Sequence, residues 1–199
     1  MGITRRSLLC AAATAMLGNS GNAAPPAAGS VESIRGEGYV DMSGQRRWLA
    51  VAAVVFIGDL VCTGQESRMG LKLGTRTQVS LGSEVRLKLD RFLVEAGGTL
   101  VLERGALRID YEARKSGKPL TARSPFALLA VRGTRFFAGP SNGVFGVFVE
   151  RGIVIVSGGG KTVTVTTDRG TNVAFPGAQP TDPAPWGGPR IQAALASVS

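Results

Sequence analysis

The stretch Ala122-Arg-Ser-Pro-Phe-Ala-Leu-Leu-Ala-Val-Arg-Gly-Thr-Arg-Phe-Phe-Ala138 decides the fold. It is the longest nearly unbroken apolar run after the amino terminus, interrupted only by Pro125 and by the step Arg132-Gly133-Thr134. An apolar run bounded by Pro and Gly, with Val and two adjacent Phe inside it, reads as buried strand, sharp bend, and more strand. Gly133 is the expected pivot, because only Gly takes a positive φ or a tight bulge without steric cost.

Outward from this stretch, short strand signals separated by Gly-centred turns run from about residue 36 to 175. Trp48 to Ile57 is an apolar, β-branched run that ends at a Gly58-Asp59 turn. Met69, Leu71 and Leu73 alternate with Arg68 and Lys72, and Val85, Leu87 and Leu89 with Arg86, Lys88 and Asp90. Leu100 and Leu102 lead to a Gly105 turn, after which Leu107, Ile109 and Tyr111 alternate with Arg108 and Asp110. Val147 and Val149 lead to an expected turn at Glu150-Arg151-Gly152, followed by Ile153 to Val156. A period of two with turn signals every eight to twelve residues marks an all-β sandwich, barrel or solenoid. No window in this region carries a helical stripe. The expected fold is all-β, a single domain of short antiparallel strands, jelly-roll or β-sandwich-like, with a short β-solenoid as the alternative.

A chain of 199 residues suits one domain plus appendages, and 44% apolar with 19% charged residues describes a globular protein. The formal charge is +9, which could serve nucleic acid, anionic lipid or acidic polysaccharide. No window is densely basic, however, so Lys and Arg read as solvent-facing strand residues such as Arg86 and Lys88. There is no His, which removes the commonest general base, the Ser-His and Cys-His nucleophile pairs, and most zinc or iron sites.

The ends differ from the middle. Residues 1–23 read as an export signal. Arg5 and Arg6 form the positive region, Leu8 to Leu17 the apolar region, and Gly21-Asn22-Ala23 the small-x-small cleavage site. Thr4-Arg5-Arg6-Ser7-Leu8-Leu9 resembles the twin-arginine motif; Cys10 stands where Lys is often found, which leaves the general secretory route open. Residues 24–35 read as a Pro/Ala-rich linker. After cleavage Cys62 would be the sole cysteine, a small buried residue with no disulfide partner. Residues 176–199 form a Pro-rich tail, in which Ile191 to Val198 could make a short helix docked on the domain and Trp186 could anchor it.

The order of these pieces resembles the FecR domain family. Its Gly-Asp-x-Val-x-Thr-Gly turn appears as Gly58-Asp59-Leu60-Val61-Cys62-Thr63-Gly64. Its later apolar strand with a Val-Arg-Gly-Thr step appears as Val131-Arg132-Gly133-Thr134, before a Val-rich hairpin from Val147 to Val156. The resemblance spans roughly residues 36–165. It implies an exported, mostly non-enzymatic β-domain that serves sensing and interaction, in which Gly58, Asp59, Thr63, Gly64, Val131, Arg132, Gly133 and Thr134 are architectural. The family's namesake also has a cytoplasmic anti-sigma segment, a transmembrane helix and a receptor-binding carboxy-terminal region, which this sequence does not show.

Chemistry-bearing motifs are sparse. Ser157-Gly-Gly-Gly-Lys-Thr162 ends like a phosphate-binding loop, but Ile155 replaces the first Gly and strand-like Val163 to Thr167 follows, so it reads as a hairpin turn. The carboxylates sit mostly at turns or outward positions, without the pocketed pair that acid–base work needs or the clustering that Ca²⁺ needs. Arg132 and Arg135 could each pair a carboxylate or face an anion. The expectation is therefore a periplasmic or secreted non-enzymatic binding protein with no cofactor or metal, acting as envelope sensor, adaptor or scaffold. Its partner would be an envelope protein or a cell-surface polymer, not nucleic acid, and the mature chain would hold no transmembrane segment. The alternative is a cell-surface carbohydrate-binding or carbohydrate-active module, recognisable by facing carboxylates beside an exposed Trp or Tyr.

Overall fold

A computed structural model of the chain describes residues 25–93, 97–112 and 119–199. The expected export signal, with Arg5 and Arg6, lies outside the described residues. The first strands are β1 (Ala27–Arg35), β2 (Gly38–Met42), β3 (Gln45–Trp48), β4 (Val54–Phe56), β5 (Leu60–Thr63) and β6 (Arg68–Leu73). Then come β7 (Thr77–Leu81), β8 (Arg86–Leu93), β9 (Gly97–Arg104), β10 (Leu107–Tyr111) and β11 (Leu120–Arg123). The long strands β12 (Leu128–Ser141) and β13 (Val144–Gly158) precede β14 (Lys161–Thr166), β15 (Arg169–Val173), β16 (Ala184–Pro185) and the helix α1 (Gly188–Ala196).

The strands form one hydrogen-bonded sheet, curled so that its two halves share a core. The β12–β13 hairpin belongs to both halves. One half runs β3-β2-β5-β8-β9-β11 and continues through Leu128–Arg132 of β12 and Ile153–Gly158 of β13 to β14. The other runs β4-β1-β6-β7-β10 and continues through Thr134–Ala138 of β12 and Phe145–Val149 of β13 to β15 and β16.

The bend that joins the halves lies in the stretch quoted at the outset. Gly133 has φ +63° and Gly152, across from it, φ +90°; the pairing register shifts between Arg132 and Phe136. One bulged residue inverts the two-residue period, so the inward side changes parity. Leu129 and Val131 are buried before the bend, and Phe136 and Ala138 after it. On β13, Phe145, Val147 and Val149 give way to Val154 and Val156. Both halves thus keep an apolar inner face, and these residues all belong to one core cluster. Thr134, fully buried, closes the bulge: its hydroxyl accepts the Ile153 N–H at 3.3 Å and donates to the Ile153 carbonyl at 2.9 Å.

The tail covers the outer face of the second half. Parity there puts Phe137 and Phe148 outward, yet both are buried, because Trp186, Ala194 and Val198 close over them. Trp186 stacks on Phe148 at 5.3 Å between ring centroids. Gly146 and Gly170 make the floor, since a Cβ at either would run into the Trp186 ring.

The structure corrects several expectations. Residues 24–35 are not a free linker: Ala27–Arg35 is β1, paired to β4 and β6, with Ala28 and Val31 in the core. The run Trp48–Ile57 is not one strand, because Ala52 takes φ +67° and breaks it into β3, a turn and the short β4. Glu150-Arg151-Gly152 is no turn but the bulge inside β13. The strands are neither all short nor all antiparallel, since β12 and β13 span 14 and 15 residues and β11 runs parallel to β9.

Candidate functional site

The architectural motif residues occupy two separate places. At the first, Asp59 turns its carboxylate back to accept the Phe56 N–H at 2.9 Å and the Arg47 guanidinium at 2.6 Å. Gly58, at φ +93°, donates its N–H to the Leu89 carbonyl at 2.7 Å. The buried Thr63 hydroxyl donates to the Gly82 carbonyl at 2.7 Å and accepts the Val85 N–H at 2.9 Å. Gly64 donates to the Glu37 carbonyl and lies so close to that side chain that a Cβ would sit 2.9 Å from its Oε2. The Gly58 and Gly64 N–H groups and the Thr63 hydroxyl of this turn tie it to neighbouring segments.

The second place is the bend at Val131–Thr134. β8, β9 and β11 separate it from the first, so the two motifs do not form one site. Val131 is in the core, Gly133 is the pivot and Thr134 is the closure. Arg132 differs: its side chain is exposed on the outer face of the first half, where it lines a surface groove.

That groove, of about 510 Å³, is walled by Pro119, Ala130, Val131, Arg132, Gly152, Ile153 and Ile155. Beside it lies a more polar basin of about 410 Å³, walled by Asp90, Thr99, Thr121, Arg123 and Leu128. Leu128, Ile153 and Ile155 are 43%, 50% and 43% exposed, an apolar row with no covering layer among the described residues. At the far end of the same face Trp48 is 57% exposed and meets Tyr39 edge-to-face at 5.5 Å. The Arg46 guanidinium lies 4.4 Å above the Tyr39 ring, a cation–π contact.

Between them Arg86 bridges Asp41 and Glu103, each at 3.2 Å. The Gly44 backbone N–H, and then Arg86, hold the Asp41 carboxyl below its usual range, the reverse of the raised pKa that a general acid needs. Cys62 beneath Arg86 is buried, and desolvation pushes its thiol up, away from the thiolate form that reacts. Among the described residues no group of three or more His, Cys, Asp or Glu could hold a metal ion. The outer face thus carries an apolar row, an exposed indole ring and several Arg side chains.

The apolar row was hidden in the sequence. Ile153-Val154-Ile155-Val156 is a continuous apolar run, and alternation cannot tell its bare side from its core side. The parity change at Gly152 sends Val154 and Val156 inward and leaves both Ile residues outside.

The motif residues of this curled β-domain make core contacts and hydrogen bonds within the turn and the bend. Comparison with known families adds that residues 59–155 match the model described as FecR protein, so the chain carries a FecR domain over those residues. Two solved structures with similar folds are crystal structures, at 1.65 and 2.50 Å, of a protein described as a "putative anti-sigma factor" from Parabacteroides distasonis ATCC 8503. Each superposes with a TM-score of 0.58 at 15% identity over 67% of this chain. The matched part spans 63% of one of those chains and 62% of the other, less than two thirds of their length. No curated protein matches the sequence. The family is regulatory, and no helix among the described residues is long and apolar enough to cross a membrane.

Proposed function

We propose that this chain is an exported, non-enzymatic FecR-domain protein that works by binding an envelope protein through the outer face of its first half-sheet, as the sensing or adaptor part of a signalling system. The observation that carries this reading is the asymmetry of the two faces. The chain's own tail buries the outer aromatic residues of the second half, while Leu128, Ile153 and Ile155 of the first are left bare beside Arg123 and Arg132. An apolar row rimmed by cations is the composition of a protein-binding surface. Export rests on the sequence of residues 1–23, and the regulatory character of the family supports the signalling role.

Site-specific photocrosslinking in the cell tests it. A crosslinker at Ile155 should trap a discrete envelope protein, and one at the exposed Gln192 of α1, on the tail-covered side, should not. Equal capture at the two positions, or capture only at Gln192, refutes the reading.

A second reading is favoured by the exposed Trp48 ring, set edge-to-face against Tyr39 with Arg46 beside it, which suits a sugar ring laid on Trp48. If it holds, the protein is retarded on a matrix of envelope polysaccharide and Trp48→Ala abolishes that retardation. Unchanged mobility of the wild-type chain removes it.

A further inference from the structure

The edges of the curled sheet are not protected alike. β3 is four residues long and carries Arg46 and Arg47; β4 has three residues; β16 has two, one of them Pro185. Short length, charge and Pro are the usual means by which an edge is kept from pairing with another chain. β14 is neither short nor broken by Pro, and it carries a single charge at its first residue. It is a regular six-residue strand, Lys161-Thr-Val-Thr-Val-Thr166, and among the described residues it pairs only with β13. Its one charge, Lys161, is neutralised by Asp182 at 2.7 Å. The returning tail covers the neighbouring edge: the β15 residue Asn172 accepts the Arg190 guanidinium and donates its N–H to the Thr181 hydroxyl, and β16 pairs with β15. At β14 the tail meets only the turn end, where Asp182 pairs with Lys161 and residues 177–179 pack on Gly159, and the free side of Thr162–Thr166 has no backbone partner among the described residues.

The order of residues on this edge names the occupant. Thr162-Val163-Thr164-Val165-Thr166 reads the same in both directions. Placed antiparallel to a copy of itself about Thr164, it sets Thr162 against Thr166, Val163 against Val165, and Thr164 against its own counterpart. The three Thr are exposed on the outer face, while Val163 and Val165 are buried on the inner one, so like meets like on each side. Thr–Thr and β-branched pairs are favourable directly opposed, and a self-complementary strand about a two-fold axis is an isologous interface. In the same register Lys161 of one copy faces Thr167 of the other, one step from its Asp168, so opposite charges meet at both ends.

We infer that two copies of this chain pair through β14, antiparallel and centred on Thr164, joining their first half-sheets into one continuous sheet. The inference does not depend on what binds the outer face.

The test uses protein produced from the full chain and purified. Sedimentation equilibrium should give twice the chain mass at high micromolar concentration. Thr164→Lys changes an exposed side chain and sets two ammonium groups opposite each other on the axis. It should raise the dimer dissociation constant by about tenfold or more without altering the circular dichroism spectrum. Thr164→Cys should give a disulfide-linked dimer on mild oxidation, whereas Thr162→Cys, which faces Thr166 of the other copy, should not. A monomeric wild-type chain, an unaffected Thr164→Lys dimer, or equal crosslinking of the two cysteine variants overturns the inference. Retained Ile155 crosslinking in a monomeric Thr164→Lys variant would separate this surface from the partner-binding one.

Discussion

Gly152→Val should lower unfolding free energy by about 3 kcal/mol or more. Two costs add. The residue has φ +90°, which a β-branched side chain tolerates poorly. A Cβ there would also lie 2.6 Å from the Gly133 carbonyl oxygen and 2.9 Å from the Thr134 hydroxyl, and the first of these is backbone that cannot swing aside. The bulge would have to open, and Thr134, with no exposed surface, would lose the geometry that pairs it to Ile153. Gly133→Val carries the backbone cost at φ +63° and should lose about 1–3 kcal/mol. Urea unfolding of both variants checks the ranking; a Gly152→Val midpoint equal to wild type would mean that the bend is ordinary strand.

Trp186→Ala should cost about 3 kcal/mol, the lower part of the range for removing a large buried aromatic, and most of that loss should appear as release of the tail. The ring fills the space over Gly146 and Gly170, stacks on Phe148, and carries the Arg190 guanidinium 3.5 Å from its centroid. Arg190 is itself fixed by Ser141 Oγ at 3.0 Å and Asn172 Oδ1 at 2.7 Å. Burial lowers its pKa, so that cation is held at some expense and depends on its partners. Without the ring, trypsin should cut after Arg190 far faster than in wild type, while the strands persist in the far-ultraviolet spectrum. Unchanged cleavage would show that α1 holds the tail without its anchor.

Much of this fold was legible in the sequence because its alternation is strict. Met69, Leu71 and Leu73, or Leu107, Ile109 and Tyr111, declare their inner face through the charged residues between them. The pivot at Gly133 was readable for the same reason: an apolar strand interrupted by Gly must bend or bulge. Pairing was not readable. That the bend is matched by Gly152, that β11 runs parallel to β9, and that one hairpin serves both halves depend on contacts far apart in the chain, which local pattern does not encode. β1 was missed because Ala27-Ala-Gly-Ser looks like spacer; its small residues let the strand approach β6, where a Cβ on Gly29 would collide with the Lys72 carbonyl. The outer face was missed because Ile outside and Val inside look alike when both are apolar.

The hairpin shared by the two halves also determines how the molecule would bear load. The β12–β13 ladder is flanked by β10 and β11 on one side and by β14 and β15 on the other, so it cannot open without parting its neighbours as well. The tail is attached differently: α1 and the two-residue β16 can peel from one end, each contact giving way before the next is strained. A pull from the carboxy terminus would therefore strip the tail first and uncover Phe137 and Phe148, while the bent spine and the bare face on its other side kept their shape. The protein has a yielding end and an unyielding middle, and force could expose a second apolar surface without unfolding the first.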